Sequence, residues 1–422
     1  MSSSSDNSSA VKRWPNQPNR PSLRFREPFT VDVVARHLAR TILRPELVFA
    51  WPALLYSFDR RYAHRLFALA REGQFPRLLS LATLRGLLRA YPLFALAWLF
   101  GLIRVLNAAL ERYASNLGEW KADKPNWSKE VVVVTGGARG IGAKIVELLS
   151  HEKRARVAVL DLGEPEYAPA PRGAPAIHYY KVDVADASAV AGAAASIRRH
   201  LGPVTMLVNN AGLMSFHRIV DTDPANVTKL WRVNTLAHFV TVKEFLPDMI
   251  KKNHGHIMAL TSSASFASLP QMSEYTTSKT ASLAFFEVLR GELRSRYHAP
   301  RVRTSICCPT KVQTTMGNSM ESHEMPFFHP TLQPIQVARR MVDALDSGLS
   351  HYMVMPGLMK ILPLLRGMPY WLRSFIDIVG KTDHLVNDSS AKRAYDDGYG
   401  KEWEGSDAED RKRFLASLEK KA

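Results

Sequence analysis

Cysteine is almost missing from this chain. The only two, Cys307 and Cys308, are adjacent in an expected strand and so point to opposite faces, which excludes a disulfide framework and fits a reducing compartment. Metal-ligand spacing is also lacking: the 14 histidines form no zinc pattern, so no metal is expected. Acidic residues are in deficit, 39 against 56 Lys and Arg, leaving a formal charge of +17. No zinc finger, basic zipper or RNA-binding signature accompanies that excess, so no nucleic-acid partner is expected. Long hydrophobic runs are absent too. Residues 90–103 (AYPLFALAWLFGLI) are closed off by Arg89 and Arg104, short of the roughly 20 apolar residues that span a bilayer.

The basic excess is concentrated at one end. Residues 1–128 hold 19 Lys or Arg against 9 Asp or Glu. Residues 1–30, rich in Ser, Asn, Pro and Arg, read as a disordered tail without the pattern of a secretory signal. Residues 31–112 read as a hydrophobic, basic helical region. Its two apolar segments, 47–58 (LVFAWPALLYSF) and 90–103, carry Trp51, Tyr56, Tyr91 and Trp98, aromatics suited to a membrane interface. Between them Arg60, Arg61, His64 and Arg65 fall opposite Leu66 and Leu69 on a helix, as in a helix lying on anionic lipid. A helical subdomain that packs these stripes as its own core is the competing reading. Residues 113–129 are polar and read as a linker.

From residue 130 to 357, apolar runs alternate with helical patterns, which predicts an α/β doubly wound (Rossmann) fold with a seven-stranded parallel sheet. The expected strands are 131–135, 157–161, 177–182, 206–209, 256–261, 302–307 and 352–355. The four-valine run ending the first strand leads into Thr135-Gly136-Gly137-Ala138-Arg139-Gly140-Ile141-Gly142 and then a helical segment. Strand, glycine turn and helix N-terminus form a cradle for a pyrophosphate: Gly136, Gly140 and Gly142 permit close backbone approach, and the helix supplies N–H groups and positive dipole. A plain tight turn is the alternative.

Asp161 ends the second strand, 19 residues after Gly142, where a carboxylate accepts hydrogen bonds from an adenosine ribose and repels a 2′-phosphate. This favours NAD. Arg139, a cation inside the turn, argues for NADP as the alternative. Asp183 ends the third strand, at the adenine edge or as a cap for a helix over 185–197. Asn209, Asn210, Ala211 and Gly212 end the fourth strand at the sheet edge where open α/β folds bind ligands. Tyr275-Thr276-Thr277-Ser278-Lys279 follows Ser262 by thirteen residues. On a helix, positions i and i+4 share a face, so the Lys279 ammonium is expected near the Tyr275 phenol, favouring its ionised form. Ser262 would bond the substrate oxygen.

With these motifs in this order, residues 130–355 resemble the short-chain dehydrogenase/reductase family. The resemblance implies that Tyr275 is the general acid/base, that Lys279 lowers its pKa and binds the nicotinamide ribose, and that Ser262 orients the carbonyl. Asn234, in Val233-Asn234-Thr235, matches the asparagine that holds a water for proton relay. Pro309 and Thr314 match the segment along the nicotinamide, Thr314 at its carboxamide; the family's Pro-Gly is Pro309-Thr310 here, which puts the local loop shape in question. The hydrophobic N-terminal extension resembles the membrane-associated branch of retinol dehydrogenases and 17β-hydroxysteroid dehydrogenases of the endoplasmic reticulum and lipid droplets. That implies a cytosolic catalytic domain and a lipophilic alcohol or ketone. NADPH-dependent reduction of a keto-lipid is the alternative reaction, and an inactive lipid-surface scaffold the alternative from another class.

Residues 358–422 hold an apolar segment and then a charged tail. Leu358, Ile361, Leu364, Trp371 and Phe375, set among Lys360, Arg366 and Arg373, would dip into lipid, wall an apolar pocket or make a homodimer contact. The long, Met-rich stretch 315–334 reads as a lid. The tail from Asp383 is given no chemistry.

Overall fold

A computed structural model describes residues 12–13, 28–40, 59–74, 77, 80–267, 269–321, 326–380 and 382–390. The apolar segment 47–58, most of the N-terminal tail and the charged stretch after Ser390 lie outside the described residues.

The chain divides into two compact units, one of them Phe29–Ser115. This smaller unit holds α1 (Val31–Arg40), α2 (Arg60–Arg71), α3 (Leu81–Ala90) and α4 (Pro92–Ser115). Proline at the first position of α4 costs nothing, since that N–H has no intrahelical partner. The helix carries most of the second apolar segment. Leu96, Phe100, Ile103, Leu106 and Leu110 recur every three or four residues, so they share one face, and all are more than half exposed. Among the described residues no helix is long and apolar enough to cross a membrane.

The larger unit resumes at Asn116 and is built on seven parallel strands: β1 (Val131–Thr135), β2 (Arg156–Asp161), β3 (His178–Lys181), β4 (Met206–Asn209), β5 (Gly255–Leu260), β6 (Val302–Pro309) and β7 (Tyr352–Met355). Their spatial order is β3-β2-β1-β4-β5-β6-β7, so the topology reverses between β1 and β4, where a crevice opens at the carboxyl ends. A two-residue strand, Lys12–Arg13, adds antiparallel to β3, within the segment read as a disordered tail.

The interleaving helices are α5 (Gly140–Glu147), α6 (Ala187–His200), α7 (Pro224–Trp231), α8 (Ala237–Lys252), α9 (Ser273–Ser295), α10 (Thr315–Asn318), α11 (Pro334–Ser347) and α12 (Tyr370–Val379). They cover both faces of the sheet. Val131 and Val133 face a core with Ile197, Phe245 and Phe286, while Val132 and Val134 face the opposite core with Ile145, Val337 and Met341. Alternation along one strand thus fills two layers, each buried valine contributing about 1.5–3 kcal/mol.

Of residues 113–129, read as a linker, 113–115 end α4 and 116–129 are fastened to the amino-end edge of the sheet. Buried Arg303 on β6 donates to the carbonyls of Asn116 (3.0 Å) and Lys121 (2.8 Å), and Trp127 Nε1 donates to Asp346 (2.6 Å). His254 bridges Asp123 (2.5 Å) and Glu130 (3.3 Å), and these two carboxylates raise its pKa to about 9. Composition marked the segment as polar, but its carbonyls are spent on Arg303 and its Asp123 carboxylate on His254 and Arg301 rather than on water.

Candidate active site

The glycine turn is closed by backbone contact. Thr135 Oγ1 at the end of β1 accepts from the N–H groups of Asn210 (3.0 Å) and Ala211 (3.1 Å) beyond β4. Asn210 Nδ2 returns bonds to the carbonyls of Thr135 (3.1 Å) and Gly136 (2.7 Å). A Cβ on Gly142 would sit 2.1 Å from the Gly136 carbonyl oxygen, and one on Gly136 would sit 2.7 Å from Ala211 Cα. Gly136 also holds φ +63°, in the left-handed region that glycine adopts freely. Ala143 N–H reaches back to the Arg139 carbonyl (3.1 Å), so the amides before it belong to the unpaired N-terminus of α5. Gly136, Arg139, Gly140 and Ile141 line a cleft of about 960 Å³ there.

Asp161, at the tip of β2, lines the same cleft. Its carboxylate accepts from the N–H groups of Ala138 (2.8 Å) and Gly163 (2.9 Å), which ties the glycine turn to the β2 tip. The Arg139 guanidinium lies beside Gly163. Asp183 also lines the cleft and accepts from Ala185 N–H (2.9 Å), but the cap of the following helix is Asp186, which accepts from Ser188 and Ala189. That helix starts at Ala187, two residues later than the sequence suggests.

Ser262, Tyr275 and Lys279 line the cleft from the end of β5 and from α9, while Asn234, in the wide π-turn Arg232–Leu236, is buried beside Gly212 and does not line it. All four are nearly or fully buried. Ser262 accepts from Ala264 N–H (3.2 Å), and its hydroxyl is near enough to the Tyr275 phenol to favour the ionised form. Lys279 Nζ donates to the Leu260 carbonyl (3.2 Å) and stands 5.7 Å from the centroid of the Tyr275 ring. Asn234 clamps Leu213: Nδ2 donates to its carbonyl (2.9 Å) and to Ser278 Oγ (3.0 Å), while Oδ1 accepts from its N–H (2.7 Å). Beside them Gly212 is closely packed: a Cβ there would lie 3.2 Å from Lys279 Nζ and 3.3 Å from Asn234 Oδ1, so both neighbours would have to give.

The electrostatics differ from the sequence expectation. Burial pushes the Tyr275 phenol above its ordinary value, against the downward pull of the Ser262 hydroxyl. Burial also lowers Lys279, to about 8. The ammonium stands over the ring face, and the low-dielectric pocket disfavours both charges, so burial dominates in this state.

At the other end the cleft is apolar, lined by Leu213, Met214, Leu269, Met272, Met316 and Met320. Pro309 and Thr314 line the stretch between. Pro309 is paired with Met355 in the sheet and Thr310 N–H bonds the Met355 carbonyl (2.9 Å) without a positive φ, so threonine in place of glycine introduces no strain. Thr314 accepts from Gly317 N–H (3.0 Å) and caps α10, the helical part of the segment read as a lid.

Several residues that matter here were not singled out by motif. Glu274 is buried beside Tyr275; burial would raise its pKa, but contacts from His217 (3.6 Å) and Ser215 hold the carboxyl below its ordinary value. Ser278 and Ser282 support Asn234, the latter donating to its carbonyl (2.6 Å). Their only signal was serine at i+4 spacing on the tyrosine helix, which is common on any helix. Among the described residues no group of three His, Cys, Asp or Glu side chains could hold a metal ion.

The family model for short chain dehydrogenase matches residues 130–325. Dehydrogenase RED2 of Cochliobolus heterostrophus is 43% identical over 184 residues, 44% of this chain and 68% of that protein. Estradiol 17-beta-dehydrogenase 11 of Homo sapiens is 32% identical over 217 residues, 50% and 70% of the two chains. Short-chain dehydrogenase/reductase 3 of Homo sapiens is 32% identical over 247 residues, covering 57% and 80%.

Proposed function

Because this chain belongs to the short-chain dehydrogenase family, and is thereby an oxidoreductase acting on CH–OH groups with NAD(P), we propose that it interconverts a lipophilic alcohol and its carbonyl compound at a membrane surface, with NAD as the preferred cofactor. One observation carries the reading: a single cleft joins a dinucleotide cradle to a Met- and Leu-lined end, with Tyr275 between them. Retinoids, steroids and long-chain lipids are the substrate classes that such an end accommodates, and a relative named for estradiol supports that choice.

The cradle fits a nicotinamide dinucleotide. The α5 N-terminus would hold the pyrophosphate, Asp161 the adenosine ribose, Lys279 the nicotinamide ribose and Thr314 the carboxamide. The oxidised cofactor supplies a hydride acceptor and the reduced form a donor. The protein's own groups handle the proton. Ser262 orients the substrate oxygen, and Tyr275 Oη takes the proton from an alcohol or returns it to a carbonyl. Lys279 has three N–H donors and gives one to Leu260, which leaves two for the nicotinamide ribose and the proton relay.

Asp161 supports NAD, since its carboxylate repels a 2′-phosphate. Arg139 beside Gly163 favours the second reading, reduction of a keto-lipid by NADPH. Titrating the protein with both cofactors separates the two: tighter NADPH binding, unaffected by Asp161→Ala, contradicts the first.

Two exposed apolar surfaces support lipid association. One is the α4 stripe. The other, in the larger unit, comprises Leu358, Ile361 and Leu364 with Tyr370, Trp371, Phe375 and Ile378 on α12. Endoplasmic reticulum or lipid droplet is the corresponding location. Retention in the membrane fraction after carbonate extraction is expected. Release into the supernatant as a homodimer would assign these surfaces to self-association instead.

A further inference from the structure

Residues 385–390, in the tail to which the sequence assigns no chemistry, touch all three loops that rim the apolar end of the cleft. Asp388 accepts from Arg218, in the loop after β4, and from Gln271 Nε2 (2.8 Å), in the turn before the Tyr275 helix. The Leu385 carbonyl accepts from Glu321 N–H (3.1 Å), in the segment after α10. Val386 is 3% exposed and packs in the same cluster as Met214, Met272 and Tyr275. Asn387 fixes the local turn by accepting from Ser390 N–H (3.0 Å).

Each bond alone is modest. Arg218 and Asp388 are about 40% exposed, and such an ion pair contributes little by itself. The geometry is more telling: one short segment joins loops that follow β4, β5 and β6, and Gln271 holds a left-handed backbone (φ +61°) at its bonding position. A segment serving only to cover a sheet edge has no need to reach all three rim loops.

We propose that residues 385–390 form a strap over the substrate end, with Val386 backing its apolar wall and Asp388 as the positioning residue, so that this segment sets which lipophilic substrate the site accepts. The proposal rests on the reading of that end as a substrate site. Arg218, Gln271 and Glu321 anchor the strap from three sides; without Asp388, two of those anchors are lost and the wall loosens.

The test uses the full chain with Asp388→Ala, Val386→Ala and the double charge reversal Arg218→Asp with Asp388→Arg. For Asp388→Ala, KM for a long-chain alcohol rises about tenfold while kcat and cofactor Kd stay within about twofold. Val386→Ala shifts preference toward bulkier alcohols, and the charge reversal restores KM to within about threefold. Unchanged KM in Asp388→Ala overturns the strap, as does a parallel decline of kcat, KM and cofactor binding that the charge reversal fails to rescue. If the wild-type protein oxidises no lipophilic alcohol, the proposed reaction fails instead. Amide exchange of residues 213–218 and 269–272 then decides the strap: faster exchange in Asp388→Ala supports it, and unchanged exchange contradicts it.

Discussion

The two ends of the cleft are built by opposite means. The dinucleotide end is made of backbone. Glycines at 136 and 142 sit where any Cβ would collide with main chain, and Thr135 and Asn210 stitch two neighbouring strand ends together. The apolar end is made of side chains from three separate loops, with methionines prominent and a strap from near the C-terminus behind them. One end is fixed because its atoms have nowhere to go. The other is adjustable because flexible thioethers repack. A family chemistry can therefore stay constant while the substrate varies.

Substitutions at each end should break or sharpen this contrast. The largest effect is expected for Gly142→Ala, whose methyl would fall 2.1 Å from the Gly136 carbonyl oxygen: a loss of about 3 kcal/mol or more in urea denaturation, with weakened cofactor binding. A stability within about 1 kcal/mol of wild type would show that the backbone end yields after all.

Next comes a control remote from both ends. His254 has a folded pKa near 9, above its unfolded value near 6.5, so the stability it contributes is complete below pH 6.5 and lost as pH rises through 9. His254→Gln should cost on the order of 2 kcal/mol at pH 6, after a discount for partial exposure, and close to nothing at pH 10. Denaturation at the two pH values checks the sign. A penalty that grows with pH would refute the ion-pair clasp, and a kcat that follows the stability loss would show that the clasp reaches the active site.

Gly212→Ala crowds a methyl against Lys279 Nζ and Asn234 Oδ1, at 3.2 and 3.3 Å, without a left-handed backbone to strain. A kcat drop of about tenfold with a smaller loss of cofactor affinity, both acting through Lys279, is expected from steady-state kinetics and a binding titration. The smallest effect belongs to the apolar end. Met316→Leu should cost less than about 1.5 kcal/mol and alter KM rather than kcat. A large kcat loss there would erase the distinction between the ends.

The same contrast explains what the sequence revealed. All seven strands were legible to within two residues at each end, because short, mostly buried runs alternate with helical patterns along the chain. The cradle, Asp161, Ser262, Tyr275, Lys279 and Asn234 could be singled out because each lies within a short local motif, and all but Asn234 line one cleft; their roles belong to the proposed function. Glu274, Ser282 and the strap were not, because their partners lie between 48 and 170 residues away and carry no local spacing. That residues 116–129 of the 113–129 linker are docked was hidden for the same reason: Arg303 and His254, which hold them, are more than 120 residues away in sequence. The rise of the Tyr275 pKa was missed because burial cannot be read from i+4 spacing.

The central claim is that Tyr275 moves the proton for hydride transfer on a lipophilic alcohol. Alcohol-dependent reduction of saturating NAD by wild type and by Tyr275→Phe tests it most directly. The account predicts that wild type turns over, with kcat/KM rising as the alcohol lengthens, and that the variant binds NAD equally but is slower by about a thousandfold or more. A Tyr275→Phe protein that reduces NAD at the wild-type rate would contradict it.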